Sequence, residues 1–429
     1  MMDQIGTRAE IEDGWNDRAR WLVVAIMILS GFRCGQSDSS SEIDLPRRVP
    51  EMTPNRSFDT SQLTHWRPVS NDGWVIGENE AGTFDYLYMV RGAALTSENE
   101  VVVANGGDNT LRLYKNDGAV RLSAGGVGQG PGEFEMLWSL YPYRHDSLAA
   151  FDLSLRRVSI YDDQLTFVRS FQLPDIGLRA AVYLVGSDDA GTSYFFEDMT
   201  DLETRSADAR DGMLYHTKGT LWALRDGAEN SPVEIGQFTG SQVWLLARGG
   251  GIGMEVPVFG LVAVIGVTPN FLVTMDSAGH RLDLRDLSGS PIASVQSVQA
   301  GRPVTNRERE WFIDQQLARV TSEQRRGALL DIYRTMPSPA TLPEFGRAVR
   351  RHSLPSVVAA DGVVFVRGYD NVDDDQTIWF GVEDTGEMWG VLVLPDNFDL
   401  LSVRSPQVAG VSRDSDGTET LRVFRIAPG

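Results

Sequence analysis

The 429-residue chain reads as an all-β fold made of repeated four-stranded antiparallel sheets, and three observations carry that reading. The stretch from Val101 runs Val-Val-Val-Ala-Asn105, turns at Gly106-Gly107, resumes at Leu111-Arg-Leu-Tyr114 and turns again at Asn116-Asp-Gly118. The pattern then returns as Ser147-Leu-Ala-Ala-Phe-Asp152, Arg157-Val-Ser-Ile-Tyr161, the turn Asp162-Asp163 and Thr166-Phe-Val-Arg-Ser-Phe171. Short period-two runs between turn residues predict strands and exclude helices here. Finally, Asn105 to Thr110, Asp152 to Arg157, Tyr215 to Thr220 and Asp276 to Arg281 share one frame. Each is expected to be a turn leading into an alternating strand, respectively Leu111–Tyr114, Val158–Tyr161, Leu221–Leu224 and Leu282–Arg285.

Between the first two copies lies Gly125-Gly-Val-Gly-Gln-Gly-Pro-Gly-Glu-Phe134. Its glycines supply positive φ and close backbone packing, and Phe134 is expected to plug the core. A dinucleotide loop would need G-x-G-x-x-G opening a helix within a βαβ unit, which neither spacing nor flanking strands provide. On this Gly-x-Gly-Pro-Gly-Glu-Phe connector and the strand repeats, the chain resembles the six-bladed β-propellers related to NHL repeats, many of them exported bacterial proteins of unassigned function. The resemblance covers roughly Trp66 to the C-terminus and includes Leu342-Pro-Glu-Phe345. It implies six four-stranded blades around a central channel.

Taken in order, Arg18 and Arg20 precede Trp21-Leu-Val-Val-Ala-Ile-Met-Ile-Leu-Ser-Gly-Phe32, an apolar run suited to a secretory signal and short for a bilayer span. Cys34 follows, with a polar Gly-Gln-Ser-Asp-Ser-Ser-Ser41 tether, which resembles a lipoprotein signal. Arg33 and Phe32 depart from the small residues that a lipobox places there, so lipidation at Cys34 stays open. As the single cysteine, Cys34 permits no intrachain disulfide. Residues 1–33 are therefore read as a signal, 34–68 as a polar linker and 69–429 as the propeller. Trp74-Val-Ile-Gly and Phe84 to Val90 read as strands, the first closing the ring by adding to the last blade, which removes open sheet edges.

A helical hairpin interrupts the repeats at 305–336. Thr305-Asn-Arg-Glu308 is a capping box, with Ile313, Leu317 and Val320 on one face. Thr321-Ser-Glu-Gln324 repeats the start signal, Leu329, Ile332, Tyr333 and Met336 form a second stripe, and Pro337 and Pro339 stop it. The hairpin is expected on the rim or over one mouth of the channel. Val363–Arg367, Thr377–Val382, the Asp384-Thr-Gly386 turn and Val391–Leu394 suggest a fifth blade. Leu400–Val403, Gln407–Val411, the Asp416-Gly417 turn and Leu421–Ile426 suggest a sixth.

The formal net charge of −20 argues against nucleic-acid or anionic-lipid binding through a general basic field. His65, His145, His216, His280 and His352 are scattered, without H-E-x-x-H or paired metal spacing, and G-x-S-x-G is absent. Ser412-x-Asp414-x-Asp416-Gly417 resembles the start of a calcium loop, but Val423 stands where a bidentate glutamate is required. The acidic run Asp370-Asn-Val-Asp-Asp-Asp375 reads as a solvated loop.

The function expected is a non-enzymatic binding or scaffold module of the bacterial envelope, periplasmic or an outer-membrane lipoprotein, with no cofactor. Its partner would be a protein, peptide or glycan, and Cys34 would give its only membrane attachment. The alternative is a lactonase-like, metal-dependent propeller hydrolase or lyase holding a divalent cation such as calcium in the channel. Turns in one frame place polar groups equivalently in their repeats, so Asp108, Asn109, Asp152, Arg156 and Asp276 are the candidate ligand contacts. The same residues serve equally well as ties between blades.

Overall fold

The computed structural model describes residues 55–76, 87–173, 182–198, 212–225, 231–248, 251–255, 257–298, 301–318, 320–346, 356–360, 362–369, 376–395, 398–414 and 417–429. The signal segment, Cys34, the acidic run 370–375, Phe84 and Asp416 lie outside them. Among the described residues no helix is long and apolar enough to cross a membrane.

The described residues begin with β1 (Arg56–Phe58) and β2 (His65–Ile76), both of which take residues from the segment expected to be linker. β3 (Val90–Leu95), β4 (Val101–Asn105), β5 (Thr110–Tyr114) and β6 (Val120–Gly125) form an antiparallel sheet in sequence order. β7 (Leu137–Tyr143), β8 (Ser147–Asp152), β9 (Arg157–Tyr161) and β10 (Phe167–Gln172) form the next. β11 (Val182–Ser187), β12 (Thr192–Glu197), β13 (Met213–Arg225), β14 (Val233–Arg248) and β15 (Gly251–Glu255) make the third. β16 (Ile265–Val267), β17 (Phe271–Met275), β18 (Arg281–Asp286) and β19 (Pro291–Ser297) make the fourth, with β1 added parallel to β19. After helices α1 (Asn306–Leu317) and α2 (Glu323–Thr335) come β20 (Val357–Ala360), β21 (Val363–Arg367), β22 (Gln376–Glu383) and β23 (Met388–Pro395). β24 (Phe398–Arg404), β25 (Gln407–Arg413) and β26 (Glu419–Pro428) complete the chain.

The fold is therefore all-β with a small helical insertion, as expected. The sheets have four, four, five, five and eight strands, where six equal sheets were expected. Two local causes account for much of the difference. β15 extends the third sheet along the far end of β14, and β2 joins the four strands β20–β23 to the three strands β24–β26 in one sheet. β2 pairs antiparallel with β26, as its predicted edge-closing role requires, while His65 and Trp66 also pair parallel with Val391 and Leu392 of β23. The Trp66 ring stacks on Trp389 there at 4.7 Å.

The first strands of successive four-strand runs adjoin one another: β3 with β7, β7 with β11, β11 with β16, β16 with β20, β20 with β24, and β24 with β3. The cycle is closed. Its strands approach so closely that a Cβ on Gly266 would lie 2.2 Å from the Val357 side chain. Apolar side chains fill the seams between neighbouring runs; Val102, Leu111 and Leu113 of the first sheet, for example, meet Leu137 and Ala150 of the second. Phe134, fully buried, plugs this seam from the glycine-rich connector, whose Gly125 (φ 91°) and Gly126 (φ 117°) adopt conformations that disfavour a side chain. Arg157 donates to the connector carbonyls of Gln129 (2.8 Å) and Gly130 (3.0 Å), fixing its path.

One aligned turn differs from expectation. Tyr215 to Thr220 lies inside β13, a continuous strand that pairs through Met213–Tyr215 with Val243–Leu245 of β14. The expected strand register holds, because Thr220 faces Glu197 as Thr110 faces Asn105, yet the chain continues straight past the position of the turn.

The helical hairpin packs Phe312, Ile313, Leu317, Tyr333 and Met336 against Trp244 of β14 and the Val258-Phe259 segment. The capping box at Thr305 forms as predicted, whereas α2 is capped by Ser322, one residue after the Thr321 expected, through its hydroxyl accepting from the Arg325 amide. Glu308 is almost fully buried. Burial opposes its charge, but the Thr305 amide (2.6 Å), Arg302 and the Thr305 hydroxyl (2.9 Å) outweigh burial and hold its carboxyl below the ordinary glutamate value. A carboxylate pKa lowered by folding stabilises above its unfolded value, near 4.3, and that contribution fades as pH falls through the folded value. Glu308→Gln should therefore cost about 1–3 kcal/mol at pH 7. Denaturant unfolding from pH 7 to 3 should show the gap from wild type closing below about pH 4; a gap independent of pH would refute the assignment.

Candidate functional site

Every run turns from its second to its third strand at the end where its first strand begins. The five candidate residues lie at such turns: Asp108 and Asn109 between β4 and β5, Asp152 at the end of β8 and Arg156 between β8 and β9, and Asp276 between β17 and β18. Their bonding divides them.

Asp152 is fully buried, its Oδ2 accepting from the Glu135 and Met136 amides (2.7 and 3.2 Å) and its Oδ1 from Leu155 (2.8 Å). Asn109, at φ 57°, reaches across a seam, donating to the Glu135 carbonyl (3.1 Å) and accepting from the Leu137 amide (3.0 Å). Asp108 is held within its own hairpin by Asn105 (2.8 Å), Thr110 (2.7 Å) and Arg112. Arg156 (φ 50°) is half-buried, and its Nη2 is buried without a hydrogen-bond partner among the described residues. In these contacts Asp152 and Asn109 act as ties.

Asp276 differs. Its Oδ1 accepts from the His280 and Arg281 amides (2.9 and 3.1 Å), and its Oδ2 accepts from no described residue. It lines a cavity of about 420 Å³ in the seam between β14 and the β17–β18 hairpin, a volume within the range of small-ligand sites. β18 supplies the opposite charges. Because strand side chains alternate, Leu282 and Leu284 are fully buried while Arg281, Asp283 and Arg285 share the other face and enter the cavity wall. Arg281 pairs with Asp283 (Nε to Oδ1 2.8 Å, Nη2 to Oδ2 3.2 Å), chiefly by that hydrogen bond, which raises its pKa. Arg285 has no carboxylate partner among the described residues. Its Nη1 donates to the Gly289 carbonyl (3.1 Å), its Nε is buried and unpaired, and its guanidinium lies 5.4 Å from the Phe238 ring centroid. Phe238 and Thr239 of β14 complete the opposite wall.

Sequence reading reached Asp276 and Arg281 through the repeat frame but missed Arg285, Phe238 and Thr239. The available signal was the alternation Arg-Leu-Asp-Leu-Arg from Arg281 to Arg285. A strand covered on both faces ordinarily carries apolar residues on both, so a charged face marks an unfilled seam. No three His, Cys, Asp or Glu side chains converge in a metal-binding arrangement among the described residues.

The two kinds of aspartate should separate on substitution. Asp152→Asn replaces one acceptor oxygen with a donor facing backbone amides and should destabilise by about 1–3 kcal/mol. Asp276→Asn retains an acceptor for the two turn amides and should stay within about 0.5 kcal/mol of wild type, as expected away from buried features. Urea unfolding measures both; equal losses would refute the division.

No family model matches the chain, and no curated protein matches it in sequence. Among solved structures it is similar to a Bacteroides fragilis protein described as exported, with 11% identity over 88% of this chain and 100% of the other, and a TM-score of 0.44. A DUF4221 member from Bacteroides vulgatus is 8% identical over 86% of this chain and 100% of its own, with a TM-score of 0.43. A Staphylococcus aureus virginiamycin B lyase is 9% identical over 83% of this chain and 97% of its own, with a TM-score of 0.37. At these values the likenesses assign neither a family nor an activity.

Proposed function

We propose that the chain is an exported six-bladed β-propeller of the bacterial cell envelope, a binding module that holds a polar ligand in the Asp276 cavity. The cavity is the observation that carries this reading, because it combines ligand-sized volume with polar groups that the fold leaves unused. Asp276 Oδ2 and Arg285 Nη2 have no described partner, whereas Asp152 and Asn109 spend their capacity on backbone groups. The closed cycle of first strands supports six blades, with β2 supplying the last strand of the sixth. Export rests on the apolar run Trp21–Phe32 behind Arg18 and Arg20. The partner is then a peptide or glycan of the envelope.

Export is tested by fractionation and intact mass: recovery outside the cytoplasm without the residues before Cys34 is expected, and cytosolic protein retaining its first residues would refute it. For binding, native mass spectrometry of the purified chain with a soluble envelope digest of glycan fragments and short peptides should give a one-to-one adduct. Ser277→Trp, at an exposed turn residue lining the cavity, should abolish that adduct without lowering the melting temperature. An unliganded spectrum across the digest, or an adduct that survives the substitution, would remove the cavity as the site.

A further inference from the structure

Resting on that reading, we infer that the cavity takes a carboxylate-bearing oligosaccharide of more than one sugar unit. The carboxylate would sit on Arg285 and the hydroxyls at the Asp276 end.

The charge pattern selects the anion. Arg281 and Asp283 neutralise each other, and Asp276 is partly compensated by two amides. Arg285 is left as a half-buried cation without a described carboxylate partner, its plane restrained by Phe238 and the Gly289 carbonyl. A desolvated cation gains most from an anion that completes its hydrogen bonding, and a guanidinium matches a carboxylate in geometry. Arg285 Nη2 is the group left to donate.

The remaining wall selects a hydroxylated ligand. Eight of the ten lining residues are polar; Phe238 and Met275 alone are apolar. Gln237, Thr239 and Ser277 offer an amide and two hydroxyls, and Asp276 Oδ2 an acceptor, a set suited to sugar hydroxyls. An acidic peptide with apolar side chains would find little surface to receive them.

Length follows from the strand. Asp276 accepts from the Arg281 amide, so it marks that end of β18, and Arg285 lies four residues along. At the rise of an extended strand the two backbone positions are roughly 13 Å apart, a span longer than one monosaccharide or amino acid. The chain's net charge of −20 further disfavours dense polyanions. A sparse carboxylate escapes most of that field, because surface charges are screened beyond about 8 Å at physiological ionic strength. The pattern fits acidic sugars spaced by neutral ones.

Isothermal titration of the full chain with a hyaluronan tetrasaccharide, its carboxyl-reduced counterpart and a glutamate-containing tetrapeptide tests the assignment. One-to-one binding of the acidic sugar is expected, at least tenfold weaker after carboxyl reduction and at least tenfold weaker in Arg285→Gln. Should that variant fail to fold, the carboxyl-reduced sugar on wild-type protein decides. Equal binding of the acidic and reduced sugars, tighter binding of the peptide, unchanged affinity in folded Arg285→Gln, or no binding of the acidic sugar would each overturn the inference. If the acidic sugar fails while a Ser277→Trp-sensitive envelope adduct persists, the ligand class falls and the binding-module reading stands; if the adduct is also absent, both fall.

Discussion

The structure depends on bringing the two ends of the described chain together. β2 lies beside β26, with Trp74 opposite Val423, and so adds a strand from the start of the described chain to the last run, whose first strand β24 meets β3. An unpaired β26 would present an open edge to other chains. The contact joins residues far apart in sequence, so its loop-closure cost falls on the whole fold rather than on one hairpin.

A buried charge network sits at the same closure. Asp399 receives Arg367 on one oxygen (2.9 Å) and Arg413 on the other (2.8 Å), while Glu419 is shared between Arg413 (2.6 Å) and the Val90 amide (2.6 Å). Buried ion pairs recover their desolvation cost only when their geometry and hydrogen bonding are nearly complete. Here each carboxylate oxygen has a donor, and the donors come from β3, β21 and β25. The network thus specifies how the last run meets the first. Arg91 continues it across the next seam: burial, opposed by Glu419, lowers its pKa to about 10, and its guanidinium lies 4.6 Å from the Trp138 ring centroid.

How much was legible in the sequence follows from what each signal encodes. Alternation located β4, β5, β8, β9 and β10 and the later β21–β23 and β24–β26 runs, because local periodicity and turn residues act there without competition, whereas β6 and β7 went unread and the strand expected at Phe84–Val90 begins only at Val90. The capping box located α1 because both of its partners lie within four residues. The Tyr215–Thr220 turn was misread because the shared frame encodes register, which holds at Thr220, and not the point where a hairpin reverses. The site was less legible still. Asp152 and Asp276 occupy the same frame, and only their partners, three backbone amides on both oxygens against two on one, distinguish a tie from a group with spare capacity.

Closure also accounts for where spare capacity survives. Sheets whose first strands meet in a ring diverge outward, so outer strands must fill a wider seam than inner ones. Between the first two sheets, Phe134 and Tyr161 help fill it, with Gly132 and Arg157 fastening the connector across them. Between the third and fourth, the inner seam is filled by Tyr194, Phe196, Leu221 and Leu272, while the outer part meets the charged face of β18. β14 is also committed elsewhere: its Trp244 packs against the helical hairpin and its far end pairs with β15. The strand cannot move inward against Arg281 and Arg285 without disturbing those contacts. The cavity width is therefore set by the ring on one side and the insertion on the other, giving a pre-formed concavity whose wall a ligand need not build.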